Sequence, residues 1–267
     1  LQDAEADLAR ERAVLAGAVR EAGDLALQMF GRGVRHWTKG ASSPVSEADL
    51  AVNDLLRTRL QPAMPEYGWL SEESADDPAR LSCRRVWVVD PIDGTRSFIA
   101  GRDDWSVSVA LVEDGRPLLA ALMVPVATQM FEATAGAGAW RDGARIQASS
   151  GEMMQGARIA GPRPLLERLG MTGADVTVVP RIGSLALRLA RVAEGALDAA
   201  FAGGESHDWD LAAADLLVHE AGGRMTTLDG AKVVYNRPEV IHQVLVAAGE
   251  PRHRRLIDEF RPMMPGS

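Results

Sequence analysis

The amino-acid sequence predicts an α+β first half, about residues 1–150, followed by an α/β second half, about residues 151–267. Three observations carry that expectation. Two stretches of helical period, over residues 4–30 and from Ser46 to about Leu60, come before any long strand. From Trp105 the period changes to two, as in an antiparallel meander. After "GAGAWRDGARI", short strands alternate with helices. The composition shifts in "QASSGEMMQ", near residue 150, and no internal repeat or low-complexity tract is visible.

Each element has its own local reason. Leu8, Leu15, Val19, Ala22, Ala26 and Met29 recur at helical spacing with Arg and Glu between them, so the first helix lays one face on a core. Gly40 to Pro44 reads as a Gly/Ser/Pro loop. Ser46 and Asp49 form an S-x-x-D capping box that opens the second helix, and Pro62 and Pro65 end it. "YGWLSEES" reads as a short strand running into an acidic loop, and "RRVWVVD" as a buried strand. Trp105, Val107, Val109 and Leu111 alternate with more polar positions. "EDG" then turns the chain into "RPLLAALMVPV" and on to "QMFEATAG". "GAGAW" lacks the third Gly of a nucleotide loop and sits between two strands, so it is a hairpin turn. "ARIAG", "DVTVVP" and "LDAAFA" are short strands, and helices are expected over about 184–195 and 211–221. A last helix, about Arg252 to Phe260, precedes a frayed tail.

Composition excludes several functions. At 267 residues and 46% hydrophobic content the chain can bury a substantial core. Its formal charge of -8 opposes binding to a nucleic-acid polymer, although local cations, helix N-termini or bound metals could still draw a small anion into a cleft. Cys83 is the only cysteine, which excludes a disulfide framework and a Cys-based zinc site. The N-terminal segment is acidic and amphipathic, and no window approaches the roughly 18 apolar residues of a membrane span. A cytoplasmic protein with no membrane partner is expected.

The chemistry concentrates in "VWVVDPIDGTRSF", Val86 to Phe98. A strand buried on both faces places Asp90 at its carboxyl end, where α/β proteins site their ligands. Pro91 should end a central ladder, and Asp93-Gly94 demands a turn. The turn explains Asp93 and Gly94 but neither Asp90 nor Thr95. An aspartyl nucleophile of the haloacid-dehalogenase type needs carboxylates two apart; with Asp93 as the second, residue 91 is proline, and the spacing fails. Hard cations held by Asp90 and Asp93, with a backbone carbonyl between them, remain. Further acids must come from elsewhere, and Glu72 and Asp210 are candidates. Each has a plainer reading. Glu72-Glu73 could be an exposed acidic loop, and Asp49, Asp208 and Asp210 could simply cap helices. His207 and His219, twelve apart with no third ligand, do not make a zinc site.

"DPIDGTRSF" resembles the Asp-Pro-Ile-Asp-Gly-Thr motif of the inositol monophosphatase family, and "HDWDLAAADLLVHEAGG" resembles its second signature. "SEES" stands where that family has a Glu-Glu pair, and "KGASSPVSEAD" is similar to its first metal-side segment, with Lys39 and Asp49 in the corresponding places. The resemblance implies a layered αβαβα sandwich, a homodimer, lithium sensitivity and Mg²⁺-dependent hydrolysis of a small phosphorylated metabolite. It implies one Mg²⁺ on Glu72, Asp90 and the Ile92 carbonyl, a second on Asp90, Asp93 and Asp210, and a weaker third on Glu72. Glu72, Thr95 and Asp49 are then the catalytic groups, with Thr95 and Glu72 set against the attacking water. Substrate contacts are expected from Asp93, Gly94, Thr95, Gly183, Ser184, Glu205 and Asp210.

The leaving group is less clear. Inositol phosphatases of the family carry a Glu seven residues before the final metal Asp, a position that is Gly203 here, with Glu205 as the nearest substitute. "DGTRSFI" is more similar to the branch that removes the 3'-phosphate of adenosine 3',5'-bisphosphate. That nucleotide is the lead substrate, with inositol-1-phosphate and histidinol phosphate as alternatives. A metal-dependent binding or regulatory protein with weak catalysis is the rival of another class.

Overall fold

The structure is a computed structural model, and it describes residues 2–39, 43–170, 173 and 175–260. Its helices are α1 (Gln2–Met29), α2 (Glu47–Leu60), α3 (Thr95–Ile99), α4 (Arg163–Gly170), α5 (Leu185–Ala193), α6 (Asp208–Glu220) and α7 (Glu250–Phe260). The strands of the first half are β1 (His36–Lys39), β2 (Ser43–Ser46), β3 (Gly68–Ser71), β4 (Arg85–Asp93), β5 (Ser106–Glu113), β6 (Arg116–Val124), β7 (Gln129–Thr134), β8 (Gly138–Arg141) and β9 (Ala144–Arg145). Those of the second half are β10 (Ala157–Ala160), β11 (Val176–Val178), β12 (Ala199–Ala202), β13 (Ser206–His207), β14 (Gly223–Thr227), β15 (Ile241–His242) and β16 (Leu245–Gly249).

A seven-stranded sheet of order β3-β4-β5-β6-β7-β8-β9 and a five-stranded sheet of order β11-β10-β12-β16-β14 form two of five layers. Alternation along the strands decides what covers each face. Trp87, Val89, Val107, Val109 and Leu111 join a core with Leu15, Val19, Val52 and Leu56 of α1 and α2. Val86, Val88, Ala110, Val112 and Leu122 point the other way, onto Leu189, Leu211 and Leu217 of α5 and α6. That second core continues into Ala200 and Ala247 of the five-stranded sheet. The outer face of the latter, with Ile159, Phe201 and Val246, meets Leu169, Leu256 and Phe260 of α4 and α7. The layering is αβαβα, as the resemblance implied.

The polar positions alternating with Val107 and Val109, Ser106 and Ser108, are buried as well, because α5 and α6 cover the second face of the sheet. Two local expectations need correction. Pro91 does not end β4. By that point β3 has stopped at the Ser71–Val89 pair, and β5 alone continues, through a bulge between the Asp90–Ser108 and Asp93–Ser106 pairs. A proline is tolerated in a bulge on a strand with only one neighbour left. Ser43 and Pro44, read as loop, belong to β2, which pairs with β1 through Trp37–Val45 and Thr38–Pro44. The rest of that loop (residues 40–42) and the tail after Phe260 lie outside the described residues.

Candidate active site

The bulge at the end of β4 produces the site. One extra residue between Asp90 and Asp93 swings both carboxylates to the same side of the turn. Gly94 then reverses the chain at φ 96°, a left-handed conformation suited to glycine, and α3 starts at Thr95. Asp210 enters from the N-terminus of α6. One oxygen from each of Asp90, Asp93 and Asp210 lies within 4.8 Å of the others. Glu72, just past β3, lines the same cavity. The cavity, of about 680 Å³, is also lined by Ile92, Gly94, Thr95 and Gly183. Asp90 and Asp93 are buried in it, while Arg96, Arg102 and Arg181, also lining it, are exposed and so mark its mouth.

Asp49 and Asp210 are caps, and each has an oxygen to spare. Asp49 Oδ2 accepts from Ser46 N (2.8 Å) and Ser46 Oγ (2.6 Å), completing the capping box, while its Oδ1 accepts from Thr95 Oγ1 at 3.0 Å. Asp210 Oδ2 accepts from His207 N at 2.6 Å. Asp93 takes Ser184 Oγ (2.6 Å), Leu185 N (3.1 Å) and Ala186 N (2.6 Å), so its carboxylate sits on the N-terminus of α5. Thr95 therefore pairs with Asp49. Lys39 Nζ donates to the Glu72 carbonyl at 2.6 Å and lies 3.4 Å from Glu73 Oε2, tying the β1–β2 hairpin to the acidic segment.

Burial and mutual repulsion raise the acids' proton affinity. Asp90 is pushed well above the usual carboxylate range, first by burial and then by the charges of Glu72 and Asp93. Burial and Asp210 carry Asp93 up to about 7, against the opposing hydrogen bonds from α5. Burial and Asp210 carry Glu72 up to about 8, and burial also raises Asp49. Such a cluster is costly unless a cation offsets it. Asp90 Oδ1 is buried with no hydrogen-bond donor, a ligand atom with nothing else to bind. The donor set is all oxygen, as Mg²⁺ requires, and the residues fit the ion.

Glu205 is not among the residues lining this cavity. It is exposed at φ 102°, where the turn between β12 and β13 carries it toward solvent, with its N–H bonded to the His242 carbonyl at 3.1 Å. Ser184 does not line the cavity either: it is buried, and its hydroxyl is turned to Asp93. Arg102, Asp104 and Arg181 were not anticipated. They are loop charges, and nothing in their spacing signals a cavity.

A floor of carboxylates in need of cations, under a mouth of guanidinium groups, suits a substrate that brings its own negative charge, and with this fold it defines a metal-dependent phosphatase. The chain belongs to the inositol monophosphatase family, whose sequence profile matches residues 7–261. It is 39% identical over 206 residues to a histidinol-phosphatase of Mycobacterium tuberculosis, covering 72% of this chain and 77% of the relative. To a 3'-phosphoadenosine 5'-phosphate phosphatase of Mycobacterium bovis it is 35% identical, covering 75% and 74%. The crystal structure of the extragenic suppressor protein suhB from Bartonella henselae superposes with a TM-score of 0.83 at 27% identity, over 94% of this chain and 98% of that one. The protein is thus a phosphatase that hydrolyses phosphate monoesters. Among the described residues no helix is long and apolar enough to cross a membrane.

Proposed function

We propose that the protein is a Mg²⁺-dependent phosphomonoesterase whose substrate is adenosine 3',5'-bisphosphate. One observation carries this reading: a single cavity has a carboxylate floor of Glu72, Asp90, Asp93 and Asp210 and a rim of Arg96, Arg102 and Arg181. The floor suits the scissile phosphate with its cations, and the rim suits a second anionic group at the other end of the substrate. Inositol-1-phosphate has no such group. Gly203 also lacks the carboxylate that inositol phosphatases of the family place there, although a Cβ at that position would meet only Pro162 Cγ, at 3.7 Å. Histidinol phosphate carries an ammonium, which the rim repels. Asp104, the carboxylate that lines the cavity beside Arg102 and Arg181, is already committed to the Gly183 N–H and to Arg102.

Asp90, Asp93, Asp210, Glu72 and the Ile92 carbonyl would hold the Mg²⁺ ions. Bound there, the cations neutralise the phosphate, lower the pKa of water and stabilise the leaving oxygen. The chain's own groups handle the proton. Thr95 Oγ1 lies 3.0 Å from Asp49 Oδ1 and 3.1 Å from the Ile92 carbonyl, and its one proton serves Asp49. Its lone pairs can then accept from the attacking water, while Asp49, made more basic by burial, receives the Thr95 proton. The Gly94 and Thr95 N–H groups, beside the turn, orient the phosphate oxygens. No covalent enzyme intermediate is formed.

Phosphate release is measured on adenosine 3',5'-bisphosphate, inositol-1-phosphate, histidinol phosphate and fructose-1,6-bisphosphate, with and without Mg²⁺. The bisphosphate nucleotide should have the highest kcat/KM, and only with Mg²⁺. A preference for inositol-1-phosphate or histidinol phosphate refutes the substrate. No turnover on any member of the panel supports the binding-protein rival.

A further inference from the structure

The residue that grips the start of α5 belongs to neither signature motif. Asp104, in the loop before β5, accepts the Gly183 N–H on Oδ2 at 2.5 Å and the Ser184 N–H on its carbonyl at 2.9 Å. One residue thus fixes two successive amides of the segment that delivers Ser184 Oγ, Leu185 N and Ala186 N to Asp93. The hydroxyl chain has a set direction. Ser184 Oγ gives its only proton to Asp93 and accepts from Leu187 N at 2.9 Å, so Ser106 Oγ, 2.9 Å away, is the donor of that contact.

The fit around Gly183 leaves no slack. A Cβ there would stand 1.9 Å from Ser97 Oγ and 3.0 Å from Asp104 Oδ2. Arg102 braces the same point, with NH2 donating to Ser97 Oγ at 2.8 Å and Nε 3.4 Å from Asp104 Oδ1. Burial acts to raise Asp104, but hydrogen bonds from Ser97, from the Gly183 N–H and from Arg102 outweigh it and keep its carboxyl below the usual carboxylate range. Asp93 is the metal-cluster acid whose three hydrogen bonds all come from the second half of the chain. Asp104, in the loop before β5, fixes the start of α5 beside it.

We propose that Asp104 is a positioning residue for the metal site, acting through Gly183 and Ser184 to fix the Asp93 carboxylate. The proposal rests on the assignment of Asp93 as a Mg²⁺ ligand. Residues that orient metal ligands typically change metal affinity or activity by 10–100-fold when removed. Mg²⁺ binding is measured by calorimetry on the full chain without substrate, for wild type, Asp104→Ala and Asp104→Asn. Asp104→Ala should bind Mg²⁺ about tenfold more weakly while keeping a cooperative thermal transition. Asp104→Asn, which retains an acceptor for the Gly183 N–H, should restore affinity to within about twofold. Wild-type affinity in Asp104→Ala overturns the proposal, as does an Asp104→Asn protein as weak as Asp104→Ala. The readout needs no substrate, so an error in the substrate assignment leaves the result intact. Absence of Mg²⁺ binding in the wild type refutes the metal assignment itself.

Discussion

Raising the pH of the metal-free protein from about 5.5 to about 8.5 ionises carboxylates that the fold holds protonated, and should destabilise it. Asp93 moves from 3.8 to about 7 and Glu72 from 4.5 to about 8 on folding. Both folded values lie above the unfolded ones. The stabilisation is therefore fully present below about pH 4 and is lost as the pH rises through 7 to 8. Between about pH 5.5 and 8.5 the loss runs from pH 5.5 to each folded value, about 1.5 units for Asp93 and about 2.5 for Glu72, or roughly 2–3 kcal/mol for one group. The two acids repel Asp210 in common, so their contributions overlap rather than add. For a chain of this size about 3 kcal/mol lowers the melting temperature by roughly 6–12 °C. Mg²⁺ binds the ionised form and should cancel the loss, so the melting-temperature gain from Mg²⁺ grows with pH. Differential scanning calorimetry across that range, with chelator and with Mg²⁺, measures both curves. A Mg²⁺ gain that is flat or falls with pH would refute the reasoning.

Two substitutions test the division of labour in the cavity. Thr95→Ala should lower kcat by about 10²-fold or more while leaving calorimetric Mg²⁺ affinity unchanged, because it removes the proton relay to Asp49 and no cation ligand; an equal loss of Mg²⁺ affinity would place Thr95 in the metal shell. Arg181→Ala should raise KM for adenosine 3',5'-bisphosphate by about tenfold, the worth of one charged hydrogen bond, and leave KM for inositol-1-phosphate unchanged; equal effects on both substrates would remove the second-anion role of the rim.

The site was partly legible because its acids sit in motifs with strong local constraints. Asp90, Asp93 and Gly94 lie in a strand ending that no ordinary turn explains, and Asp210 precedes a helix closed by Gly222-Gly223. Asp49 shows how a plain reading can hide a second use: its capping box is real, yet the box occupies only Oδ2 and leaves Oδ1 for Thr95. That Asp49 is the hydrogen-bond partner of Thr95, 46 residues away, follows only from packing. Burial of Ser106 and Ser108 was hidden for a related reason. Their strand alternates as a half-exposed strand does, and the covering helices come about 80 and 100 residues later. The short strands β14 and β16 carry little periodicity of their own and are fixed by pairing with each other and with β12. The mouth was not legible at all. Arg102, Asp104 and Arg181 are charges in loops, and only the fold brings residues 102–104 to 181–183.

The most direct test of the account is phosphate release from adenosine 3',5'-bisphosphate by wild type and Asp93→Asn, each with and without Mg²⁺. Wild type should turn over only with Mg²⁺, and folded Asp93→Asn should lose at least about 100-fold in kcat/KM even with it. Full activity in Asp93→Asn, or wild-type turnover in the presence of chelator, would contradict the metal-based mechanism.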